Sequence, residues 1–256
     1  RPNVGKSTLV NTLLGKKRMI VSPVAGTTRD SIDSLCTYYG RKYLIIDTAG
    51  IRKKGKVGYS LERFSMVRAI RSIERCDVSL IILDASDGIV EQDKRIAGTV
   101  NRYGKGAVFL MNKWDLVREP EAAYKRYLSE FEEKFWFFNH APLLTVSGME
   151  RKRVTKVFPL IDGVIAQRKK RISTGEVNSF LRETLSHAPL PPYRNRQVKI
   201  YYMTQVKSEP PEFALFTNHP EGIKEAYMRY LEKSLRGRFS FSGTPIRIYI
   251  RQKKSA

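Results

Sequence analysis

The sequence predicts an α/β domain with a mostly parallel sheet, followed by a small α+β domain. Over the first two-thirds of the chain, apolar runs that end in polar residues alternate with segments of helical character. A basic run near residue 170 breaks this alternation, and a helix, two strands, a helix and a strand are predicted after it. Alternating strands and helices favour a parallel sheet, whose binding residues lie at the carboxyl ends of the strands. We therefore place the first domain at residues 1–172 and the second at residues 173–256.

The first domain is predicted to contain four buried strands and four helices. The strands are Tyr43 to Asp47, Val78 to Asp84, Ala107 to Asn112 and Leu143 to Ser147. The helices are Leu61 to Glu74, Glu91 to Tyr103, Glu121 to Phe137 and Val154 to Gln167.

The second domain begins after the sequence QRKKRIST at 167–174, which we interpret as a linker of basic and helix-capping residues. Its predicted elements are a helix at Ser173 to Ala188, strands at Gln197 to Val206 and Glu212 to Thr217, a helix at Asn218 to Leu235 and a strand at Ile246 to Arg251. This order predicts one sheet with covering helices.

The charge of the chain favours a phosphate-rich partner. Its 256 residues include 47 Lys and Arg against 25 Asp and Glu, which gives a net charge of +22, and the excess falls in both domains. A basic surface that only aids solubility is the alternative. Cys36 and Cys76 lack metal-ligand spacing, so we expect reduced thiols in a cytoplasmic protein and no zinc site. Neither a signal peptide nor an apolar run long enough to span a membrane is present in the sequence.

Residues 1–8 read RPNVGKST, which lacks only the first glycine of the phosphate-binding pattern G-x-x-x-x-G-K-[ST]. The missing glycine would precede Arg1, so we expect the first strand and the native N-terminus to lie before this residue. In this pattern Gly5 lets backbone N–H groups approach phosphates, Lys6 reaches the β and γ oxygens, and the Ser7 hydroxyl ligates Mg²⁺. Taken alone, GKST is a weak signal, because short motifs recur by chance.

DTAG at 47–50 follows the apolar run YLII. Asp47 is therefore expected at the carboxyl end of a strand, where it can hold a magnesium-bound water. Gly50 can offer its N–H to a γ-phosphate.

NKWD at 112–115 follows AVFLM, again at a strand end. The carboxylate of Asp115 suits the two N–H donors on the edge of guanine, which adenine lacks, so the site is expected to select GTP over ATP. Asn112 would brace neighbouring loops, and the stem of Lys113 would lie over the purine. At the next strand end, Ser147 and Gly148 form either an ordinary turn or a backbone contact to the guanine carbonyl oxygen.

These motifs resemble the Era-like P-loop GTPases. The strings AGTTRD at 25–30, DTAGIRKKGKV at 47–57, DASDGIVEQDKRIAG at 84–98 and NKWDLV at 112–117 resemble the second GTPase domain of the EngA (Der) ribosome-assembly GTPases. The tail resembles the KH-like domain of that family. Because the family carries two GTPase domains in tandem, the resemblance implies a fragment without the first one. Ala25 stands where the family usually has proline, and Ser147-Gly148 where it usually has Ser-Ala.

The resemblance implies specific roles in the nucleotide site. Thr28, or else Thr27, would be the first switch and ligate Mg²⁺ together with Ser7 and, through water, Asp47. The segment Ile51 to Tyr59 would be the second switch. Lys6, Thr28 and Asn3 are the expected catalytic residues. GTP or GDP would contact Asn3, Val4, Gly5, Lys6, Ser7, Thr8, Asp47, Thr48, Ala49, Gly50, Ile51, Asn112, Lys113, Trp114, Asp115, Ser147 and Gly148.

Hydrolysis would differ from that of Ras-type enzymes, which place a water-orienting glutamine directly after DTAG. Ile51 occupies this position and has no hydrogen-bonding group. Potassium-activated relatives use an asparagine of the phosphate loop to help bind K⁺, and Asn3 matches it. We therefore hypothesise that Asn3 helps bind K⁺.

The tail lacks the G-x-x-G loop with which KH domains clamp single strands, since Gly237 and Gly243 are too far apart. A surface that docks structured RNA or the absent GTPase domain is favoured instead. Two basic clusters, Arg151, Lys152, Arg153 and Lys156, and Arg168 to Arg171, are predicted RNA contacts. For the strand aromatics Tyr201, Tyr202, Phe213 and Phe216, burial in the core is favoured over base stacking.

The sequence thus predicts a cytoplasmic GTP-hydrolysing switch in the assembly of the large ribosomal subunit, with rRNA as partner. The alternative is an RNA- or ribosome-docking scaffold whose nucleotide site is mainly structural. A tRNA-modification GTPase is disfavoured, because those proteins end with a reactive cysteine that this tail lacks.

Overall fold

The computed structural model describes residues 3–15, 20–25, 32–46 and 61–253. The chain divides into two compact units, Arg1–Asp162 and Gly163–Ala256. This division precedes the boundary that we propose after residue 172. In the part of the chain that the structure describes, no helix combines the length and the apolar character needed to cross a membrane.

A parallel sheet lies at the centre of the first unit, as predicted. It consists of β4 (Val78–Asp84), β5 (Gly106–Asn112) and β6 (Leu143–Thr145), hydrogen-bonded in the order β4-β5-β6. All seven residues of β5 are buried. A central parallel strand covered on both faces has this continuous apolar character.

Five α-helices accompany the strands among the residues described up to Lys169. They are α1 (Lys6–Leu14), α2 (Leu61–Arg75), α3 (Glu91–Arg102), α4 (Pro120–Lys134) and α5 (Val157–Lys169). A cluster of phenylalanines packs α4 against the sheet, since the ring of Phe109 in β5 lies 4.8 Å from the rings of Phe131 and Phe135. This packing fixes the position of the carboxyl end of β5, from which the NKWD segment begins.

A second sheet of this unit differs from the sequence prediction. The strands β1 (Ile20–Ala25), β2 (Ile32–Tyr38) and β3 (Arg41–Ile45) form an antiparallel sheet, and β1 and β2 were not predicted. We expected a buried parallel strand over Tyr43 to Asp47, but β3 pairs antiparallel with β2 and its side chains are exposed or half-buried. The reason is the two-residue turn Tyr39-Gly40, in which both residues have positive φ and the chain reverses.

Side chains attach the β2–β3 hairpin to α5. The ring of Tyr38 stacks on Phe158 at 4.4 Å, and the Tyr43 hydroxyl donates to Asp162 at 3.0 Å. Burial, together with this carboxylate, raises the pKa of Tyr43 to about 12. At the start of β2, the buried carboxylate of Asp33 pairs with Arg75 at the end of α2.

The second unit contains the predicted order of helix, two strands, helix and strand. Its elements are α6 (Thr174–His187), β7 (Ile200–Lys207), β8 (Glu212–Thr217), α7 (Glu225–Phe239) and β9 (Arg247–Gln252). β8 lies between the other two strands, antiparallel to β7 and parallel to β9. Side chains from both helices and all three strands form one apolar core, which includes Val177, Leu181, Met203, Phe213, Leu215, Leu231, Leu235 and Ile248.

Two predictions about this unit need correction. Phe213 is buried as expected, but Tyr201 and Tyr202 are 47% and 37% exposed, because they are not covered by the helices that bury Phe213. Arg168 is only 3% exposed and therefore cannot serve as an RNA contact. Its neighbour Lys170 donates to the carbonyl of Phe239 at 2.8 Å, so half of this basic cluster has a structural role.

Candidate nucleotide-binding site

Helix α1 begins inside the phosphate-loop motif, so the backbone N–H groups of its first turn belong to residues of that motif. Gly5 caps the helix in the left-handed region with φ of 86°, and the Leu9 N–H donates to its carbonyl at 2.9 Å. The N–H groups of a first helical turn have no partner within the helix, and the helix dipole adds positive potential there. An anionic phosphate group is therefore favoured at this position.

Gly5 is required for a second reason besides its φ. A Cβ atom built on residue 5 would lie 2.3 Å from Nδ2 of Asn112, far inside van der Waals contact. The absent side chain thus makes room for the asparagine of the NKWD segment, as well as for close backbone approach to a ligand.

Asn112 connects three loops of the site through its buried side chain. Its Nδ2 donates to the carbonyl of Val4 at 2.8 Å, and its Oδ1 accepts from the Gly148 N–H at 3.0 Å. Only 2% of the residue is exposed. Since a buried amide without partners costs about 1–3 kcal/mol, the two bonds both satisfy Asn112 and fix the loops around it.

The backbone after β5 is held against its neighbouring strands. The Ala85 N–H donates to the carbonyl of Asn112 at 2.9 Å, and the Trp114 N–H donates to the carbonyl of Val146 at 3.1 Å. Lys113 adopts a left-handed φ of 62° and begins a short 3₁₀ turn, Trp114–Leu116. This turn places Asp115 on the surface beyond the strand ends, where its carboxylate is available to a ligand.

Lys113 forms an ion pair with a buried carboxylate that we did not predict as part of the site. Its Nζ lies 2.5 Å from Oδ2 of Asp84, which is the last residue of β4. The other oxygen of Asp84 accepts from the N–H of Ser86 at 2.9 Å and from its hydroxyl at 2.8 Å. Burial raises the pKa of Asp84, but the bonds from Lys113 and Ser86 outweigh burial and hold the pKa below its usual range. The polar residues DASD at a strand end were the signal in the sequence.

The loop after β6 packs against α1. The Thr12 hydroxyl donates to the carbonyl of Gly148 at 2.9 Å, and Ser147 and Lys152 exchange backbone hydrogen bonds across the loop. Ion pairing with Glu150 raises the pKa of Lys152, and the charge of Asp115 raises it further. Asp115 therefore lies within electrostatic reach of this loop. Arg151 and Arg153 both have left-handed φ values of 58°.

The structure brings together part of the predicted site. Val4, Gly5, Asn112 and Gly148 are joined directly, and Lys113, Trp114, Asp115 and Ser147 belong to the same loops. Asn3, Lys6, Ser7 and Thr8 lie at the adjoining end of α1. Desolvation by burial lowers the pKa of Lys6. The remaining predicted residues lie outside the described part of the chain: Thr28, Asp47, Thr48, Ala49, Gly50 and Ile51.

A backbone N–H of the Ser147-Gly148 pair was predicted to meet a guanine carbonyl oxygen, with an ordinary turn as the alternative. In the structure the Gly148 N–H donates to Asn112, and the Ser147 N–H donates to the carbonyl of Lys152. The guanine contact, like the other ligand contacts of the site, stays a prediction.

Gly5→Ala is expected to destabilise the first unit by about 2–4 kcal/mol, because it combines left-handed strain with a clash against Asn112. Gly40→Ala is the matched control, since Gly40 has φ of 78° but no atom would lie within 4 Å of the added methyl group. Chemical denaturation measures the free energy of unfolding of both variants. Equal losses would show that the clash with Asn112 has no energetic effect.

Asp84→Asn is expected to lower the free energy of unfolding by about 1–3 kcal/mol at pH 7, because it removes a charged partner from Lys113. A depressed folded-state pKa gives stability that is present above the unfolded pKa of about 3.9 and is lost as pH falls through the folded pKa. The difference in free energy of unfolding between Asp84→Asn and the parent should therefore shrink as the pH is lowered below about 4. Denaturation at a series of pH values, with Glu121→Gln as an exposed control, tests this. A difference that is independent of pH would contradict it.

Comparison with known proteins adds to this geometry. Residues 1–113 match a family described as "50S ribosome-binding GTPase", and residues 171–251 match "KH-domain-like of EngA bacterial GTPase enzymes, C-terminal". The chain is 47% identical to GTPase Der of Thermodesulfovibrio yellowstonii and 46% identical to GTPase Der of Moorella thermoacetica, over 99% and 98% of its length. It spans 58% of the length of each of these relatives.

Among solved structures, the chain resembles Era in complex with MgGDPNP and nucleotides 1506-1542 of 16S ribosomal RNA. The TM-score is 0.51 and the sequence identity 20%, over 100% of this chain and 91% of Era. At this identity the likeness supports the fold alone. The two family matches and the extended identity to GTPase Der together show that the chain belongs to the EngA (Der) family of P-loop GTPases.

Proposed function

We propose that this chain is a GTP-binding and GTP-hydrolysing switch that acts in assembly of the large ribosomal subunit in the cytoplasm. The observation that carries the proposal is the pair of hydrogen bonds from Asn112, which joins the loop suited to phosphate to the loops suited to guanine. The names of the relatives, GTPase Der, and the description "50S ribosome-binding GTPase" support it.

The phosphates would lie over the first turn of α1. Backbone N–H groups after Gly5 would donate to phosphate oxygens, and Lys6 would add a positive charge. Two observations fit such a role. Gly5 has no side chain to block the approach of a phosphate, and the pKa of Lys6 is lowered because burial partly desolvates its ammonium group. Ser7 and Thr28, with Asp47 through water, would hold Mg²⁺, whose chemical role is to offset phosphate charge.

The guanine base would be recognised by the NKWD segment. The ion pair with Asp84 fixes the Lys113 side chain, whose stem would cover one face of the purine. Asp115 would accept from the two N–H donors of guanine, and an adenine base would leave this acceptor unpaired. The selectivity for GTP over ATP would thus come from the Asp115 carboxylate on the 3₁₀ turn after β5, once a bound base covers it.

Asp115→Asn is expected to weaken GTP binding by at least about tenfold and to shift preference towards XTP. Xanthine has a carbonyl oxygen where guanine has an amino group. The amide introduced at position 115 can donate to that oxygen, whereas the Asp115 carboxylate can only accept. Titrations of GTP, XTP and ATP against the parent and variant would measure this, with Glu119→Gln as a control on the neighbouring loop. If the variant kept the parent's preference for GTP over XTP, Asp115 would not be the base-reading residue.

Hydrolysis would proceed without a glutamine, since Ile51 follows DTAG. Asn3, Lys6 and Thr28 would stabilise charge on the phosphates, and Asn3 would help to bind K⁺. We expect faster GTP turnover in KCl than in NaCl and expect Asn3→Ala to reduce this difference, as measured by phosphate release at equal ionic strength. Equal rates in the two salts, or a potassium response that Asn3→Ala leaves intact, would contradict the role of Asn3.

The ribosomal partner is proposed from the charge and from the comparisons. A net charge of +22 favours a polyanion, and Era, which shares the fold, was crystallised with 16S ribosomal RNA. Because the chain spans 58% of its relatives, an N-terminal GTPase domain of the kind that the family carries would be a further, intramolecular partner.

Binding to purified 50S subunits tests the switch directly. We expect tighter binding with a non-hydrolysable GTP analogue than with GDP, a steep decrease with rising salt, and GTP turnover stimulated by the subunits. Binding that is insensitive to both nucleotide and salt would contradict the RNA-switch proposal. Nucleotide binding without turnover, on subunits that still bind the chain, would favour the alternative of a docking scaffold with a structural nucleotide site.

A further inference from the structure

One face of the C-terminal sheet is left open by the two helices of its unit. Met203, Phe213 and Leu215 are fully buried in the core that the helices cover. On the opposite face of the same sheet, Tyr202 is 37% and Tyr249 38% exposed. Exposed aromatic rings that recur on one face of a sheet indicate a binding surface more often than isolated ones do.

The strand register sets the aromatic residues of this open face in two adjacent rows. Tyr202 in β7, Phe216 in β8 and Arg251 in β9 are direct neighbours across the three strands. In the next row Ala214 pairs with Tyr249. Because alanine is small, it forms the floor of a shallow depression of about 670 Å³ between larger side chains. The residues lining this depression are Tyr202, Val206, Ala214, Phe216, Tyr249, Arg251, Gln252 and Lys253.

Aromatic and cationic groups are combined on this face. The rings of Tyr202 and Phe216 are stacked at 4.4 Å with an interplanar angle of 16°, and Nζ of Lys253 lies 4.8 Å from the ring centre of Tyr201. The lining includes two basic residues and no carboxylate. At the far end of the sheet, Glu212 is offset by Lys207 at 3.7 Å. The face therefore carries net positive charge around apolar rings.

Flat rings beside cations suit the two parts of a nucleotide. A base stacks on an aromatic face, and a phosphate binds the neighbouring Arg or Lys. Only unpaired nucleotides can offer the face of a base, so a duplex would not use the rings. A protein partner could cover the rings as well, but the absence of carboxylates in the lining favours a polyanion.

We propose that this open face binds single-stranded RNA, with bases stacked on Tyr249 and on the Tyr202–Phe216 pair and phosphates held by Arg251 and Lys253. The inference deepens the proposed RNA partner and rests on it. It also offers a route to single strands that needs no G-x-x-G loop, which the sequence lacks.

The test is the affinity of the whole chain for a fluorescein-labelled, single-stranded RNA of about 12 nucleotides, measured by anisotropy. Tyr249→Ala should weaken binding at least about fivefold, Tyr249→Phe should retain it, and Tyr249→Leu should lose it despite its apolar bulk. Arg251→Gln should reduce the salt slope by about 0.7. Tyr103→Ala is the matched control, since Tyr103 is a 39% exposed tyrosine of the other unit. Thermal unfolding and GTP affinity should be unchanged in all of these variants.

The outcomes separate this inference from the function on which it rests. If Tyr249→Ala bound the RNA like the parent, the inference would be wrong, although the proposed RNA partner would stand. A protein partner would then be the favoured occupant of the open face. If Tyr249→Leu bound like Tyr249→Phe, stacking would be excluded. If the parent bound neither single-stranded RNA nor 50S subunits, the proposed RNA partner itself would fail, while GTP hydrolysis would be judged by phosphate release.

Discussion

The buried amide of Asn112 satisfies backbone groups that lie 108 and 36 residues away along the chain. A side chain with one donor group and one acceptor, held at the end of a fully buried strand, can do this only if both loops approach it closely. Gly5 permits the approach of the phosphate loop, because a Cβ on residue 5 would clash with Asn112. Gly148 permits the approach of the loop after β6 to α1, because a Cβ on residue 148 would lie 3.3 Å from the backbone of Leu9. The loops proposed to bind phosphate and base are therefore positioned relative to each other by the core of the domain.

The two units use their sheets in different ways. In the first, β5 is buried along its whole length, so the residues proposed to bind the nucleotide lie at the strand ends, where parallel sheets place their binding residues. In the second, helices cover one face only, and the strands themselves present side chains to solvent. The same alternation that buries Phe213 leaves Tyr202 and Tyr249, on the opposite face of the sheet, exposed to solvent. The proposed RNA surface therefore needs no additional loop.

Sequence patterns predicted the parallel strands, their helices and the motifs at their ends, because these signals are local: apolar runs, helical spacing and short polar motifs. The β1 and β2 strands were missed, since β1 contains Pro23 and the hairpin turn has tyrosine at a position where asparagine or glycine is usual. The interpretation of β3 as a buried parallel strand failed for the same reason. The DASD motif marks Asp84 as polar at a strand end, but its ion pair with Lys113 and the burial of Arg168 depend on contacts between distant segments, which no local pattern contains.

Arg151 and Arg153 each have a left-handed backbone conformation in the loop after β6. Such a conformation costs a non-glycine residue roughly 1–2 kcal/mol, and glycine would avoid the cost. At position 153 the side chain offsets part of this cost, because its guanidinium donates to the Thr145 hydroxyl at 2.6 Å and so ties the loop back to the end of β6. A glycine there would relieve the backbone but would release the loop from the strand that precedes it.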